Sequence, residues 1–99
     1  MACFEEIDVE QAKKMMASQE VVIVDIRDPQ SYEEAHIPQA IRIDQSNIQE
    51  FLQKKDKDKP LICYCYHGFS SQNAAEYFHH NGFQKVYSIV GGFEAWRSS

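Results

Sequence analysis

The sequence has no excess of basic residues. Its 99 residues include 10 lysines and arginines against 15 aspartates and glutamates, which gives a formal net charge of -5. A chain with this balance lacks the positive surface that binds nucleic acid or an anionic membrane. No apolar run approaches the roughly 20 residues that span a bilayer. The first residues, Met1 to Glu6, also lack the basic start and apolar core of a secretion signal. We therefore expect no nucleic-acid partner and no membrane partner.

Cysteine is scarce, and its placement does not suit disulfide bonds. There are only three cysteines, and Cys63 and Cys65 are too close in sequence for an ordinary structural bridge. This usage is typical of a reducing compartment, where thiols stay reduced. We therefore expect a cytoplasmic protein. The length and the 43% hydrophobic content predict one domain over residues 1–99, with a core that needs no disulfide.

Glycine is also scarce, and its position marks the most informative stretch of the chain. Gly68 is the only one of the four glycines among the first eighty residues. It lies in a short loop between an apolar run over 61–65, predicted to be a buried strand, and a helical pattern that begins at Ser70. Cys65 is the last residue of this predicted strand. The loop N–H groups and the positive end of the helix dipole both favour a thiolate there, and the thiolate is the nucleophilic form. The stretch therefore predicts a reactive Cys65.

Elsewhere the chain alternates between helical and strand patterns. Asp8 with Gln11, and Ser46 with Gln49, have the spacing of capping boxes, and Asp28 precedes a proline suited to the first helical position. The patterns predict helices at about 9–17, 29–35, 46–52, 71–80 and 93–96, and strands at 21–24, 40–43, 61–65 and 86–89. This alternation predicts an α/β domain with a mostly parallel sheet.

In such sheets, functional sites lie beyond the carboxyl ends of the strands. Cys65 falls at one of these ends, and Asp25 and Arg27 follow a different strand. We expect these residues on the same rim of the sheet. Asp25 and Arg27 are interpreted as a structural ion pair, or as partners of Glu33 or His36, and not as catalytic groups.

Three motifs are distributed along the chain. They are Val24-Asp25-Ile26-Arg27-Asp28 followed by His36-Ile37-Pro38-x-Ala40, then Cys65-Tyr66-His67-Gly68-Phe69-Ser70, and finally Gly91-Gly92-Phe93-x-x-Trp96. Together they resemble the signatures of the rhodanese domain family, over essentially the whole chain. Within the family, the chain is most similar to single-domain bacterial thiosulfate sulfurtransferases of the GlpE type. It departs from the family in having Ala35 and Gln39 where glycine is frequent, and in having no arginine or lysine inside the loop.

The resemblance implies a rhodanese-like α/β fold, a small sheet of about five strands with helices on both faces. It also implies a double displacement, in which Cys65 takes the outer sulfur of thiosulfate and passes it to a thiophilic acceptor. That acceptor is cyanide in an assay, or a dithiol such as a thioredoxin-like protein. The implied catalytic residue is Cys65, and the implied substrate-binding loop consists of Tyr66, His67, Gly68, Phe69 and Ser70. No cofactor is implied, and for His67 both substrate contact and a loop-shaping role stay open.

A zinc site built from Cys63, Cys65 and His67 is disfavoured. Side chains at i and i+2 on a strand are ~6.6 Å apart at the backbone, whereas two thiolates on one zinc ion must approach within ~3.8 Å. We therefore expect no metal, and interpret Cys63 as a packed core residue.

Three other functions are alternatives to a sulfurtransferase. A phosphatase of the Cys-x5-Arg kind needs an arginine six residues after its cysteine to bind phosphate, and that position is Ser71. A non-catalytic binding module of this family typically lacks the cysteine, which is present here. A persulfide carrier loaded by a desulfurase would use the same Cys65, so the sequence does not separate it from a thiosulfate enzyme.

Overall fold

The structure is a computed structural model that describes residues 4–54, 57–66 and 70–99. Within these ranges the chain forms five strands and five helices. In chain order they are β1 (Glu5–Ile7), α1 (Val9–Ser18), β2 (Val22–Asp25), α2 (Pro29–Glu34), β3 (Ile41–Arg42), α3 (Ile48–Lys54), β4 (Leu61–Tyr64), α4 (Ser70–His80), β5 (Val86–Ile89) and α5 (Gly92–Arg97).

The strands form one sheet in the order β1-β5-β4-β2-β3, and every neighbouring pair is parallel. Cys63 of β4 lies opposite Val24 of β2 and Ser88 of β5, which places β4 in the centre of the sheet. Because the strands are parallel, their carboxyl ends share one edge. The predicted parallel α/β architecture is therefore confirmed.

Helices cover both faces of the sheet, and successive residues of β4 point to opposite faces. Leu61 and Cys63 pack in one core cluster, whereas Ile62 and Tyr64 pack in the other. The first cluster also takes residues from α3 and α4: Phe51, Leu52, Ala75 and Phe78. The second takes residues from α1 and the segment after α2: Val9, Ala12, Ile37 and Ala40. Because β4 is buried on both faces, its residues do not alternate between apolar and polar as those of a half-exposed strand would.

Local signals placed the starts of α1 and α2 correctly. The main-chain N–H of Gln11 donates to Asp8 Oδ1 at 2.8 Å, and the N–H of Asp8 donates to Gln11 Oε1 at 3.0 Å, which confirms the capping box. Asp28 caps α2 by accepting a hydrogen bond from the N–H of Ser31 at 2.8 Å, with a proline at the first helical position.

The predicted capping box at the start of α3 is wrong. Asp44 takes the role assigned to Ser46: its Oδ1 accepts from the N–H of Ser46 at 2.8 Å, while its own N–H donates to Asn47 Oδ1 at 2.8 Å. A turn therefore precedes α3, which begins at Ile48. The sequence offers two acceptors close together, Asp44 and Ser46, and the carboxylate of Asp44 accepts the hydrogen bond from the Ser46 N–H. The cap therefore lies two residues earlier than the pattern indicated.

Strand β1 was not predicted from the chain's pattern. It has only three residues, of which Ile7 alone is buried. Its pairing with β5, where Ile7 lies opposite Ile89, is a contact between distant parts of the chain. Within the described ranges, no helix is both long enough and apolar enough to cross a membrane.

Candidate active site

Cys65 lies at the carboxyl edge of the sheet, as predicted, although the central strand ends at Tyr64, one residue earlier than expected. Cys65 is 4% exposed, and the strands on both sides of β4 end near it. Helix α4 begins five positions later, at Ser70. The nucleophile candidate is thus held between a rigid strand and a helix start, which is a precise scaffold for a reactive group.

The start of α5 packs on the backbone of Cys65 and Tyr66. The N–H of Phe93 donates to the carbonyl oxygen of Cys65 at 2.8 Å, and the N–H of Glu94 donates to that of Tyr66 at 3.1 Å. Gly92 makes this approach possible. It has a left-handed φ of 59°, and a Cβ on it would lie 2.5 Å from the Cys65 carbonyl oxygen. The sequence analysis used Gly92 only as part of a motif and missed this close approach to the backbone of the candidate nucleophile.

Tyr66, a predicted loop residue, is tied to the start of α2. The residue is 41% exposed, so it does not serve as a cover for the core. Its hydroxyl donates a hydrogen bond to the carboxylate of Asp28 and lies 3.0 Å from Ser31 Oγ. The Tyr66 hydrogen bond, followed by the one from the Ser31 N–H, lowers the pKa of Asp28 to about 2. The exposed carboxylate of Asp28 therefore caps α2 and also holds Tyr66, the residue that follows Cys65, by a hydrogen bond.

Asp25 and Arg27 form a buried ion pair on the same rim. Arg27 Nη2 lies 2.7 Å from Asp25 Oδ2, and Nε donates to both carboxylate oxygens at 3.1 and 3.0 Å. The hydroxyl of Tyr64 also donates to Asp25 Oδ2 at 2.7 Å. Burial, together with the hydrogen bond to Asp25, raises the pKa of Tyr64. The interpretation as a structural pair is confirmed, and the pair joins the ends of β2 and β4.

Besides Asp25, Arg27 contacts Ala35 and Phe93, and not Glu33 or His36 as the sequence analysis considered. Arg27 Nη2 donates to the carbonyl oxygen of Ala35 at 2.6 Å, and its guanidinium carbon lies 4.2 Å from the ring centroid of Phe93. His36 instead stacks on Tyr32, with ring centroids 3.9 Å apart. The alternative pairing of Arg27 with Glu33 or His36 is therefore wrong, because the guanidinium is directed back to Asp25.

Cys63 is a packed core residue, as interpreted. It is fully buried, and its Sγ donates to the carbonyl oxygen of Tyr87 at 3.4 Å. Burial raises the pKa of the Cys63 thiol, and the neighbouring charge of Cys65 adds to the effect. Cys63 and Cys65, the two cysteines in the described part of the chain, form no disulfide bond. No group of three or more histidine, cysteine, aspartate or glutamate side chains in that part could hold a metal ion.

Three of the predicted loop residues, His67, Gly68 and Phe69, lie outside the described residues. Ser70 is the first residue of α4. The side chains that the structure does bring to the rim are those of Asp25, Arg27 and Tyr66. The hydrogen bond between Tyr66 and Asp28 could not be predicted from the sequence pattern, because the two residues are 38 positions apart.

The chain is similar to known proteins over nearly its whole length. A family model described as the rhodanese-like domain matches residues 8–99. Thiosulfate sulfurtransferase GlpE of Pseudomonas syringae pv. syringae (strain B728a) is 48% identical over 99 residues, covering 100% of this chain and 92% of that protein. Thiosulfate sulfurtransferase GlpE of Coxiella burnetii (strain RSA 331 / Henzerling II) is 42% identical over 95 residues, covering 96% and 89%.

A solved structure shares the fold. Human single domain sulfurtransferase TSTD1 superposes with a TM-score of 0.83 at 18% identity, covering 100% of this chain and 98% of that one. At this level of identity the likeness concerns the fold alone.

Proposed function

Because the chain belongs to the rhodanese-like domain family, we propose that it is a thiosulfate sulfurtransferase that carries sulfur on Cys65. The observation that carries the proposal is the position of this residue, directly after the central strand and just ahead of α4. The two bacterial thiosulfate sulfurtransferases that match nearly the whole chain support the same reaction. The fold alone does not, since one fold hosts many activities.

The reaction has two displacements at sulfur. In the first, the Cys65 thiolate attacks the outer sulfur of thiosulfate, the S–S bond of thiosulfate breaks, and sulfite leaves with the bonding electrons. Cys65 then carries a persulfide. In the second, a thiophilic acceptor attacks the outer sulfur of the persulfide, and the Cys65 thiolate leaves. Covalent relay through one nucleophile replaces a difficult transfer by two easier ones.

The protein's contribution is to hold a sulfur anion at one place. We assign this role to the loop over 66–70 that the sequence predicts, helped by the positive end of the eleven-residue helix α4. Cys63 does not compete as a nucleophile, because burial raises its pKa and keeps it protonated. No cofactor enters the reaction.

The acceptor is a thiophile: cyanide in an assay, or a dithiol such as a thioredoxin-like protein in the cell. With a dithiol, the second thiol displaces the transferred sulfur as sulfide and leaves a disulfide on the acceptor. This chemistry requires reduced thiols, so we propose that the domain works in the cytoplasm. We assign the whole activity to one domain over residues 1–99.

A persulfide carrier loaded by a desulfurase remains the alternative, because it needs the same thiol in the same place. A phosphatase is disfavoured, since Ser71 stands where phosphate binding needs an arginine. A non-catalytic module is disfavoured by the presence of Cys65.

Mass spectrometry of the intact protein tests the proposal. Incubation with thiosulfate should add about 32 Da, the mass of one sulfur atom, and Cys65→Ser should abolish the gain. Cys63→Ala is the matched control and should still be loaded. Ready loading by a cysteine desulfurase, with negligible loading by thiosulfate, would favour the carrier instead. A Cys65→Ser protein that turns over sulfur as fast as the parent would exclude both.

A further inference from the structure

A groove of about 550 Å³ opens between α3 and α4, where these helices meet the segments that follow β2 and β3. Most of its wall is apolar and consists of Ile26, Ile43, Ile48, Ala74, Tyr77 and Phe78. Phe78 is fully buried at the floor of the groove, whereas Tyr77 is 40% exposed. The groove is therefore an apolar surface that the described residues leave open to solvent.

The groove lies beside the proposed nucleophile, on one face of the sheet. The N–H of Ile26 donates to the carbonyl oxygen of Tyr64 at 3.1 Å, and the next step of the β2–β4 register sets Ile26 beside Cys65. Neighbouring strands are ~4.8 Å apart. Ile26 and Ile43 belong with the core cluster that contains Cys63, and the alternation of side chains along a strand puts Cys65 on the face of Cys63. A partner seated in the groove would stand next to Cys65.

The groove offers no counter-charge to a small ionic metabolite. Of the described residues that line it, only Asp44 is charged, and Asp44 Oδ2 lies 2.6 Å from Arg42 Nη2. Hydrogen bonds from Ser46 and then Arg42 lower the pKa of Asp44 to about 2, so the ion pair persists at neutral pH. Thiosulfate or sulfite would lose its hydration in this groove without gaining a cation. Apolar side chains suit it instead.

The rim of the sheet around the groove is acidic. A capping aspartate follows each of β1, β2 and β3 at the carboxyl edge, namely Asp8, Asp28 and Asp44. The arginines near this edge each lie against a carboxylate of their own, which leaves Asp8 and Asp28 in excess. Lys59 and Lys85 precede β4 and β5, at the opposite edge. The edge that carries Cys65 therefore attracts positive charge.

We propose that this groove docks a segment of a partner protein in which one or two apolar side chains are flanked by lysine or arginine. The apolar side chains fill the space between α3 and α4, and the basic ones face the acidic rim. Gln49 Nε2 donates to the Tyr77 hydroxyl at 3.3 Å. The polar end of Tyr77 is thus satisfied within the protein, and its ring is left for apolar contact.

The proposed contact is transient. A few apolar side chains bury far less than the roughly 1,200–2,000 Å² of a stable interface, which suits a partner that docks and leaves. The inference rests on the proposed function, because docking beside Cys65 serves the transfer of sulfur to or from that partner.

Methyl NMR tests the docking surface directly, because three residues of its wall are isoleucines. The probes are the peptides acetyl-GKLFKG-amide, acetyl-GELFEG-amide, with the charges reversed, and acetyl-GKSSKG-amide, without apolar side chains. The first peptide should shift the δ1 methyl signals of Ile26, Ile43 and Ile48. The signals of Ile7 and Ile89, in the cluster on the other face of the sheet, should stay in place.

The lysine peptide should bind about threefold to tenfold more tightly than the glutamate peptide at low ionic strength, and the difference should shrink as salt screens the rim. The serine peptide should leave the three signals unchanged. Tyr77→Ser should weaken binding of the lysine peptide, because it removes an exposed wall of the groove. Val90→Ser is the matched control, since Val90 is 52% exposed at the same edge but follows β5. It should leave the affinity unchanged.

The inference would be overturned if the lysine peptide at millimolar concentration shifted none of the three signals, or if the glutamate or serine peptide bound equally well. Equal losses in Tyr77→Ser and Val90→Ser would also overturn it. Shifts of the same signals with protein concentration alone would identify a second copy of this chain as the occupant. An equal response to benzyl alcohol would identify a small apolar ligand, and either result excludes a basic protein segment.

These measurements do not depend on activity. Failure of the proposed function is recognised separately, because no mass gain of about 32 Da would then appear on incubation with thiosulfate.

Discussion

The N–H of Phe93 donates to the carbonyl oxygen of Cys65 at 2.8 Å, so helix α5 begins on the backbone of the proposed nucleophile. This contact leaves no space for a side chain at Gly92, whose added Cβ would lie 2.5 Å from the Cys65 oxygen and 2.7 Å from the Tyr66 oxygen. The position of Cys65 therefore depends on a glycine 27 positions later in the sequence.

Gly92→Ala should lower both stability and the rate of sulfur transfer. The left-handed conformation alone costs an alanine about 1–2 kcal/mol, and the clash with the backbone adds to it. Urea unfolding measures the first effect, and persulfide loading measures the second. Gly91→Ala is the matched control, because it has a left-handed φ of 79° but meets the side chain of Ala95. Equal loss of transfer in the two variants would show that the contact with Cys65 does not matter.

Tyr66→Phe should raise the pKa of Asp28 from about 2 toward its ordinary value of 3.8, because the Tyr66 hydrogen bond is the main cause of the shift. A lowered folded-state pKa stabilises the protein above the unfolded pKa, and this contribution is lost as the pH falls through the folded pKa. The stability difference between the parent and Tyr66→Phe should thus be present above pH 3.8 and shrink toward pH 2.

An NMR titration of the Asp28 carboxyl carbon measures the pKa directly, and unfolding by urea at several pH values follows the stability. Tyr77→Phe is the control, since this hydroxyl contacts Gln49 and not Asp28. An unchanged Asp28 pKa in Tyr66→Phe would contradict the assignment.

Asp25→Asn should destabilise the fold by about 3–5 kcal/mol, because it leaves Arg27 as an uncompensated buried charge. Both residues of the pair are buried, with side chains 0% and 4% exposed. Urea unfolding at neutral pH measures the change. Glu20→Gln removes an exposed carboxylate whose ion pair with Lys59 should contribute less than about 1 kcal/mol. If the two variants lose similar stability, the buried pair is not an anchor of the rim.

Alkylation should distinguish the two cysteines of the central region. In a Cys3→Ser background, iodoacetamide at neutral pH should modify Cys65 and leave Cys63 intact, because burial raises the pKa of the Cys63 thiol and shields it. Peptide mapping locates the adducts, and the same reaction in denaturant should modify both. Modification of Cys63 at the rate of Cys65 in the native state would rule out its role as an inert core residue.

Much of the fold and the central part of the site follow from local signals in the sequence. The capping pair Asp8 and Gln11 and the apolar run of β4 need only near neighbours in the chain, and the structure has them as predicted. The prediction of a reactive Cys65 also came from a local signal, because a predicted strand, a short loop and a helix start are consecutive in the sequence.

The features that were missed depend on competition or on distant contacts. Asp44 displaced Ser46 as the cap of the turn before α3, since two suitable acceptors stood close together and only geometry decides between them. Strand β1 needs its pairing with β5, at the other end of the chain. The link between Tyr66 and Asp28, like the approach of Gly92 to Cys65, arises only when separate elements pack together.

The location of β4 in the sheet has a consequence for hydrogen exchange along the chain. Proteins open locally first at their edges, and central strands open only with the whole domain. Here the edges are β1 and β3, of three and two residues, while β4 has a strand on either side and a core cluster on each face. Fraying at the margins would leave β4, the strand that leads into Cys65, in place. The main-chain amides of β4 should therefore exchange with solvent last, at the rate of global unfolding.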